Sequence, residues 1–184
     1  MQSSWDTRYR ERSAPIEPAA FVRVELAPLL RAPGRALDVA GGAGRHAIWL
    51  ARRGWNATMI DTSHVAIEIA EARAAAAGVD IDLIHADLTT DELPAGPWDL
   101  ILIVHYLQRD LFGGMIERLA PGGLLAVSVA TVRNLERHER PGPPYLLELG
   151  EAPSLADGLA IVHYGEGWSV EGRHEARLVA QKRT

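Results

Sequence analysis

The segment Ala36-Leu37-Asp38-Val39-Ala40-Gly41-Gly42-Ala43-Gly44-Arg45-His46-Ala47 holds the residues whose types and spacing can do chemistry. An apolar run ends in an acid, passes through a turn of small residues and opens a helix-forming stretch. Small residues let the backbone turn sharply and let a ligand approach it closely. The helix start that follows presents unpaired N–H groups, which suit polar or anionic ligand groups. The expected occupant is a nucleotide-like cofactor. Gly42-Ala43-Gly44-Arg45-His46-Ala47 also fits the dinucleotide pattern G-x-G-x-x-G/A, a weak signal alone. A nicotinamide cofactor further asks for an acid roughly 20 positions on, and Asp61 could serve.

A sheet is needed to position these residues. Arg35 to Val39 reads as a buried strand, and Arg45 to Arg53 as a helix stopped by Gly54. Ala57 to Ile60 is a second strand, ending at Asp61. Ser63 is a candidate N-cap for a helix running to Ala77 and closed by Gly78. Ile81 to His85 is a third strand, followed by Ala86-Asp87-Leu88. Leu100 to Val104 is a fourth. Leu107 to Leu119 has apolar residues at 107, 111, 115 and 119, which is helical spacing. Pro121-Gly122-Gly123 is a turn before a fifth strand, Leu124 to Val129. Residues 17–31 read as a first helix, stopped by Pro33-Gly34.

The last part breaks this rhythm. Residues 131–158 carry four prolines and many charges with little periodicity. Two strand-like segments, Leu159–Tyr164 and Ala176–Gln181, then follow with no helix-length stretch between them, so they should pair antiparallel. The predicted architecture is an α/β, Rossmann-like doubly wound fold. Its mostly parallel seven-stranded sheet ends in an antiparallel hairpin and has helices on both faces. One domain is expected over residues 1–184, with 1–31 as an N-terminal helical cap.

Composition narrows the partners. The chain has 184 residues, 47% hydrophobic and 23% charged, enough for one ordinary globular core. A net charge of −5 argues against a nucleic-acid partner. There is no cysteine, which excludes disulfides, thiolate nucleophiles and zinc–cysteine sites. Met1-Gln2-Ser3-Ser4-Trp5-Asp6 lacks the layout of a signal peptide. No apolar run nears the ~20 residues that span a bilayer. A cytoplasmic protein, monomer or homodimer, is the expectation.

From Arg35 to Lys182 the pattern resembles a class I S-adenosylmethionine-dependent methyltransferase. That family ends its first strand in D/E-x-G-x-G-x-G, here Asp38-Val39-Ala40-Gly41-Gly42-Ala43-Gly44, with Ala40 replacing the first glycine. Alanine at a negative-φ position would reshape the turn only slightly. The resemblance puts the ribose-binding acid on Asp61, beside Thr62, and the adenine-side acid on Asp87, beside Leu88. It also matches Pro121-Gly122-Gly123 and the terminal hairpin. Trp5-Asp6-Thr7-Arg8-Tyr9 and Gly44-Arg45-His46-Ala47 look most like small methyltransferases of the tellurite-resistance type.

The resemblance implies S-adenosylmethionine as cofactor. Asp38, Ala40, Gly41, Gly42, Gly44, His46, Asp61, Thr62, Asp87, Leu88, Arg8 and Tyr9 are then its binding residues. Two ribose hydroxyls can each donate to Asp61, and the adenine amino group to Asp87. Asp38 can accept from the ligand's ammonium, and Arg8 can pair with its carboxylate. His46 is expected to contact the cofactor or a loop carbonyl.

A sulfonium is already a good leaving group, so the protein mainly holds the acceptor in line with the methyl. The end of the fourth strand, Val104-His105-Tyr106, should face that methyl. His105 is the candidate base or orienting group, and Tyr106 a pocket wall. Residues 131–158 are the candidate acceptor lid, with Arg133, Arg137, His138, Arg140 and Tyr145. His138, His163 and His174 show no metal spacing, so no metal is expected. The absence of Asn/Asp-Pro-Pro-Tyr after the fourth strand favours a small-molecule acceptor. Two alternatives remain at this point: an NAD-binding oxidoreductase, for which little chain is left over to form a substrate domain, and a non-catalytic S-adenosylmethionine-binding module.

Overall fold

A computed structural model describes residues 4–184; the first three residues of the expected 1–31 cap lie outside the described residues. The apolar runs form the sheet, because strands buried on both faces need side chains that leave water on both. Its strands are β1 (Arg35–Val39), β2 (Asn56–Asp61), β3 (Asp82–His85), β4 (Trp98–Val104), β5 (Leu119–Ala130), β6 (Ala160–Trp168) and β7 (His174–Gln181). Their order is β3-β2-β1-β4-β5-β7-β6. Strands β1 to β5 run parallel, and β7 inserts antiparallel between β5 and β6. This is the expected mixed seven-stranded sheet.

The helices are α1 (Ser4–Glu11), α2 (Arg45–Ala51), α3 (His64–Ala77), α4 (Leu111–Glu117) and α5 (Ala152–Leu155). Alternation along β4 divides the core into two layers. Ile101 and Ile103 pack with Leu37, Val39, Leu125, Val127, and Phe112 and Met115 of α4. Leu100 and Leu102 pack with Met59, Leu50 of α2, Ala70 of α3, and Phe21 and Leu26. Each such large side chain contributes about 1.5–3 kcal/mol by leaving water. Ser63 caps α3 by accepting from the Ala66 N–H at 3.2 Å, and Gly78 closes it at φ +66°.

Four elements differ from the sequence reading. Residues 17–31 do not form one regular helix. Phe21–Leu26 makes a wide π-type turn and Ala27–Leu29 a 3₁₀ turn. Pro28 has no N–H to donate, which interrupts a continuous ladder. The regular helix of the cap is α1, which the apolar spacing did not reveal because most of its residues stay exposed. The stretch 107–119 is helical only over Leu111–Glu117; Leu119 pairs with Trp98 and starts β5. Pro121-Gly122-Gly123 is an irregularity within β5, where Gly122 donates to the Lys182 carbonyl.

Residues 131–158 are packed against the sheet. Leu146 and Leu147 are fully buried, and Thr131 bridges to Leu147. The Arg109 guanidinium ties the segment to the body through Glu151 and the Leu146 carbonyl.

Among the described residues, no helix is long and apolar enough to cross a membrane.

Candidate active site

Strand order reverses between β1 and β4, which leaves a crevice beyond their carboxyl ends, where open α/β sheets take ligands. The glycine turn rises from β1 on one side and His105 from β4 on the other.

The turn is shaped by close approaches. A Cβ at Gly41 would collide with Met59 Cγ, and one at Gly42 with the Tyr9 hydroxyl. Gly42 and Gly44 have φ +60° and +78°. Ala40 departs from expectation: its φ is +54°, in the left-handed region rather than at a negative value. The chain therefore keeps the backbone of a glycine turn and accepts strain at Ala40, of order 1–2 kcal/mol.

The acids sit where the turn needs them. Asp61 is buried and accepts from Gly42 N–H and Ser63 N–H, both at 2.8 Å. Burial raises its pKa; the two backbone hydrogen bonds oppose this and nearby Asp38 adds to it. Asp38 is 1% exposed, and its Oδ2 has no hydrogen-bond partner among the described residues. His46 Nδ1 lies 3.8 Å from it. His46 Nε2 accepts from the Ala19 N–H at 3.3 Å, so the His46 hydrogen sits on Nδ1, facing Asp38. His46 thus contacts the N-terminal segment and Asp38, not a carbonyl of the turn.

Residues 6–20 roof the turn. Asp6 accepts from the Ser63 hydroxyl at 2.7 Å. The Tyr9 hydroxyl lies over Gly42, and burial, with Asp61 next, pushes its pKa up to about 12, so it stays a donor. Arg73 holds the Ala14 and Pro15 carbonyls, and Arg45 the Glu17 carbonyl. Arg8 is not drawn in: it is exposed, with its guanidinium 4.9 Å from the Trp5 ring centre.

On the β3 side, Asp87 is exposed. Its Oδ1 accepts from the Thr89 N–H and hydroxyl, which hold its pKa below the usual range. It therefore braces the next turn. Gln108 links this loop to β4: it donates to the Leu88 carbonyl at 2.9 Å and accepts from the Tyr106 hydroxyl at 2.6 Å. Thr62 accepts from His85 through its carbonyl, so it too bonds through its backbone.

His105 marks the other side. Its φ is +60°, a conformation rare for a residue with a side chain, and its N–H is anchored to the Ser128 carbonyl at 2.8 Å. Its Nε2 lies 3.0 Å from Glu175 Oε1, and its Nδ1 lies 3.4 Å from Arg45 Nη2. A guanidinium only donates, so Nδ1 accepts and Nε2 carries the hydrogen toward Glu175. Burial lowers the His105 pKa against the pull of Glu175, which keeps the ring neutral. Burial would raise Glu175, but the His105 contact, the Ser128 hydroxyl and Arg173 hold it low and ionised.

Sequence reasoning missed Glu175, Arg45, Glu171 and Arg173. Glu175 opens a strand that pairs with β5 only through the fold, at the Ala130 register. No local spacing joins it to His105. Its one signal was an acid at the head of an apolar strand. His105, Glu171 and Glu175 bring potential metal-ligand atoms within 4.8 Å of one another. Within this trio His105 Nε2 faces Glu175 at 3.0 Å.

The fold is similar to that of solved S-adenosylmethionine-dependent methyltransferases. Residues 36–123 match the family model described as a methyltransferase domain. Demethylmenaquinone methyltransferase of Thermus thermophilus is 31% identical over 129 residues, 66% of this chain and 54% of that protein. The chain thus spans about half the length of this curated relative. TehB from Haemophilus influenzae superposes with a TM-score of 0.73 at 18% identity, over 87% of this chain and 61% of that one. An S-adenosylmethionine-dependent methyltransferase from Mesorhizobium loti gives 0.69 at 20% identity, over 89% and 98%. These matches lend nothing to the oxidoreductase alternative.

Proposed function

We propose that the protein transfers a methyl group from S-adenosylmethionine to a small-molecule acceptor. The observation that carries this is Asp38 Oδ2, a buried carboxylate oxygen without a partner at the wall of a glycine turn. A buried polar atom left without a hydrogen bond costs about 1–3 kcal/mol, and the ammonium of the cofactor's methionine end would relieve it. Asp61 keeps lone pairs beyond those taken by Gly42 and Ser63, which suits ribose hydroxyls. The residues present therefore fit the cofactor. Gly41 and Gly42 let Met59 and Tyr9 close on the turn, and Asp87 with Leu88 borders the adenine end. When bound, the cofactor supplies an activated methyl on a sulfonium.

The chain's residues do the rest. The roof of residues 6–20 excludes water from the turn. His105 holds a neutral Nδ1 across the crevice from it, placed to take a proton from an acceptor. Tyr106 edges the same mouth, its hydroxyl donating to Gln108 at 2.6 Å. Arg8, stacked on Trp5 outside the roof, is not needed for this reading. The 131–158 segment remains the candidate acceptor lid, tied to the body through Arg109 and Glu151.

Calorimetry with S-adenosylhomocysteine and with NAD tests the cofactor. S-adenosylhomocysteine should bind and NAD should not; binding of NAD alone overturns the reading. A radiolabelled methyl-transfer screen over thiols, phenols, carboxylic acids and tellurite then tests the reaction. Cofactor binding with no transfer to any of them would instead favour a binding module.

A further inference from the structure

A guanidinium and an oriented histidine meet beyond the end of β4, where the acceptor is expected. Arg45 leaves the first position of α2, beside the glycine turn, and reaches His105 Nδ1 at 3.4 Å across the crevice. Arg173, in the turn between β6 and β7, acts electrostatically on the same ring and on Glu175. Neither arginine forms an ion pair with a carboxylate among the described residues. Two carboxylates, Glu171 and Glu175, also face the ring, and Glu171 acts electrostatically on Arg45. Glu175 accepts from His105 and from the Ser128 hydroxyl at 3.1 Å, and Glu171 accepts from the Ala20 N–H at 3.0 Å.

We infer that the acceptor is a weakly acidic hydroxyl or thiol compound whose proton goes to Nδ1 of His105, with Glu175 as the positioning residue that keeps the other hydrogen on Nε2. This rests on the methyl-transfer reading above. The acceptor's O–H or S–H takes the place of the Arg45 N–H at Nδ1. In the step, the acceptor oxygen or sulfur forms a bond to the methyl carbon. The sulfonium S–C bond breaks, and its electron pair stays on sulfur as the thioether. The acceptor's proton ends on His105, which passes it to water. Charge develops on the acceptor as its proton departs, and two guanidiniums stabilise that charge. An amine acceptor develops positive charge instead, which Arg45 and Arg173 disfavour and Glu171 and Glu175 only partly offset.

The test uses the full chain, S-adenosylmethionine and three acceptors on one ring: phenol, thiophenol and aniline. Phenol or thiophenol should be methylated with kcat/KM at least about tenfold above aniline, the scale of a single polar discrimination. Glu175→Gln should lower kcat at least about tenfold, a fraction of a general base's contribution. It should also move the acid limb of the pH profile to lower pH, because Glu175 is what raises His105. Its affinity for S-adenosylhomocysteine should not change. Preference for aniline overturns the inference. So does an unshifted pH profile, or a lack of methylation of all three acceptors by protein that binds S-adenosylhomocysteine. Failure to bind S-adenosylhomocysteine instead overturns the broader reading. Nitrogen-15 long-range NMR of the wild-type protein tests the tautomer directly: an Nε2–H form supports the inference, and an Nδ1–H form overturns it.

Discussion

Asp61 Oδ2 accepts the Gly42 N–H at 2.8 Å, which ties the end of β2 to the turn at the end of β1. One carboxylate thus shapes the turn and, on the proposed reading, binds the ribose. This double duty separates two effects that mutation can read.

Asp61→Ala should weaken S-adenosylhomocysteine binding by about 1.5–3 kcal/mol, the scale of a charged hydrogen-bond partner. That is roughly 10- to 150-fold in Kd by calorimetry. Unchanged affinity would remove Asp61 from the site.

The affinity should also depend on pH. Ribose hydroxyls donate to the ionised carboxylate, so binding is strong above the Asp61 pKa and falls as pH drops through it. Burial raises that pKa above the ordinary aspartate value. The loss should therefore begin at a higher pH than an exposed aspartate would give. Asp61→Asn should flatten this dependence. A wild-type profile identical to that of the Asn variant contradicts the assignment.

Ala40 sits at φ +54°. Ala40→Gly removes strain of about 1–2 kcal/mol and adds unfolded-chain entropy of about 0.4–1 kcal/mol. The net gain should raise Tm by up to about 2–4 °C in a chain of this size. A fall in Tm would show that Ala40 is not strained.

Gly41→Ala meets a different obstacle, because its Cβ would strike Met59 Cγ and approach Asp38 Oδ2 to 2.8 Å. Overpacking of this kind costs about 1–3 kcal/mol, and S-adenosylhomocysteine affinity should fall with it. Gly78→Ala is the control: nothing lies within 4 Å of its Cβ, so only the left-handed strain at φ +66° applies. Equal Tm losses in denaturation scans would reject the collision at Gly41.

Much of this was legible along the chain. The alternation of apolar runs with helix-forming stretches implies parallel pairing, and the close spacing of the last two runs implies the hairpin. Both signals are local, and the sheet follows them. The glycine turn and the acids at Asp38 and Asp61 lie at strand ends, where the strand period itself points them to the crevice. Legibility failed where partners are remote. The segment 17–31 has helical apolar spacing, but its prolines and its docking on the β1–β4 face make it a π turn and a 3₁₀ turn. Leu107 is buried in the core without being helical, because residues 105–110 are committed to the loop that Gln108 ties to Leu88. Arg8 sits in a suggestive motif, yet α1 turns it outward onto Trp5.

The sequence by itself determined the donor side: an acid, small residues and a helix start in unbroken order, because hydrogen bonding to a cofactor at a strand end uses neighbours in the chain. The tertiary structure alone decided the acceptor side. Arg45, His105 and Glu175 are far apart in sequence and meet only because β4 follows β1 in the sheet and β7 inserts beside β5. The left-handed backbone at Ala40 and His105 was also invisible in the residue types, since each is held by contacts from other strands. Which nitrogen of His105 can take a proton depends on those distant partners, and no pattern along the chain encodes it.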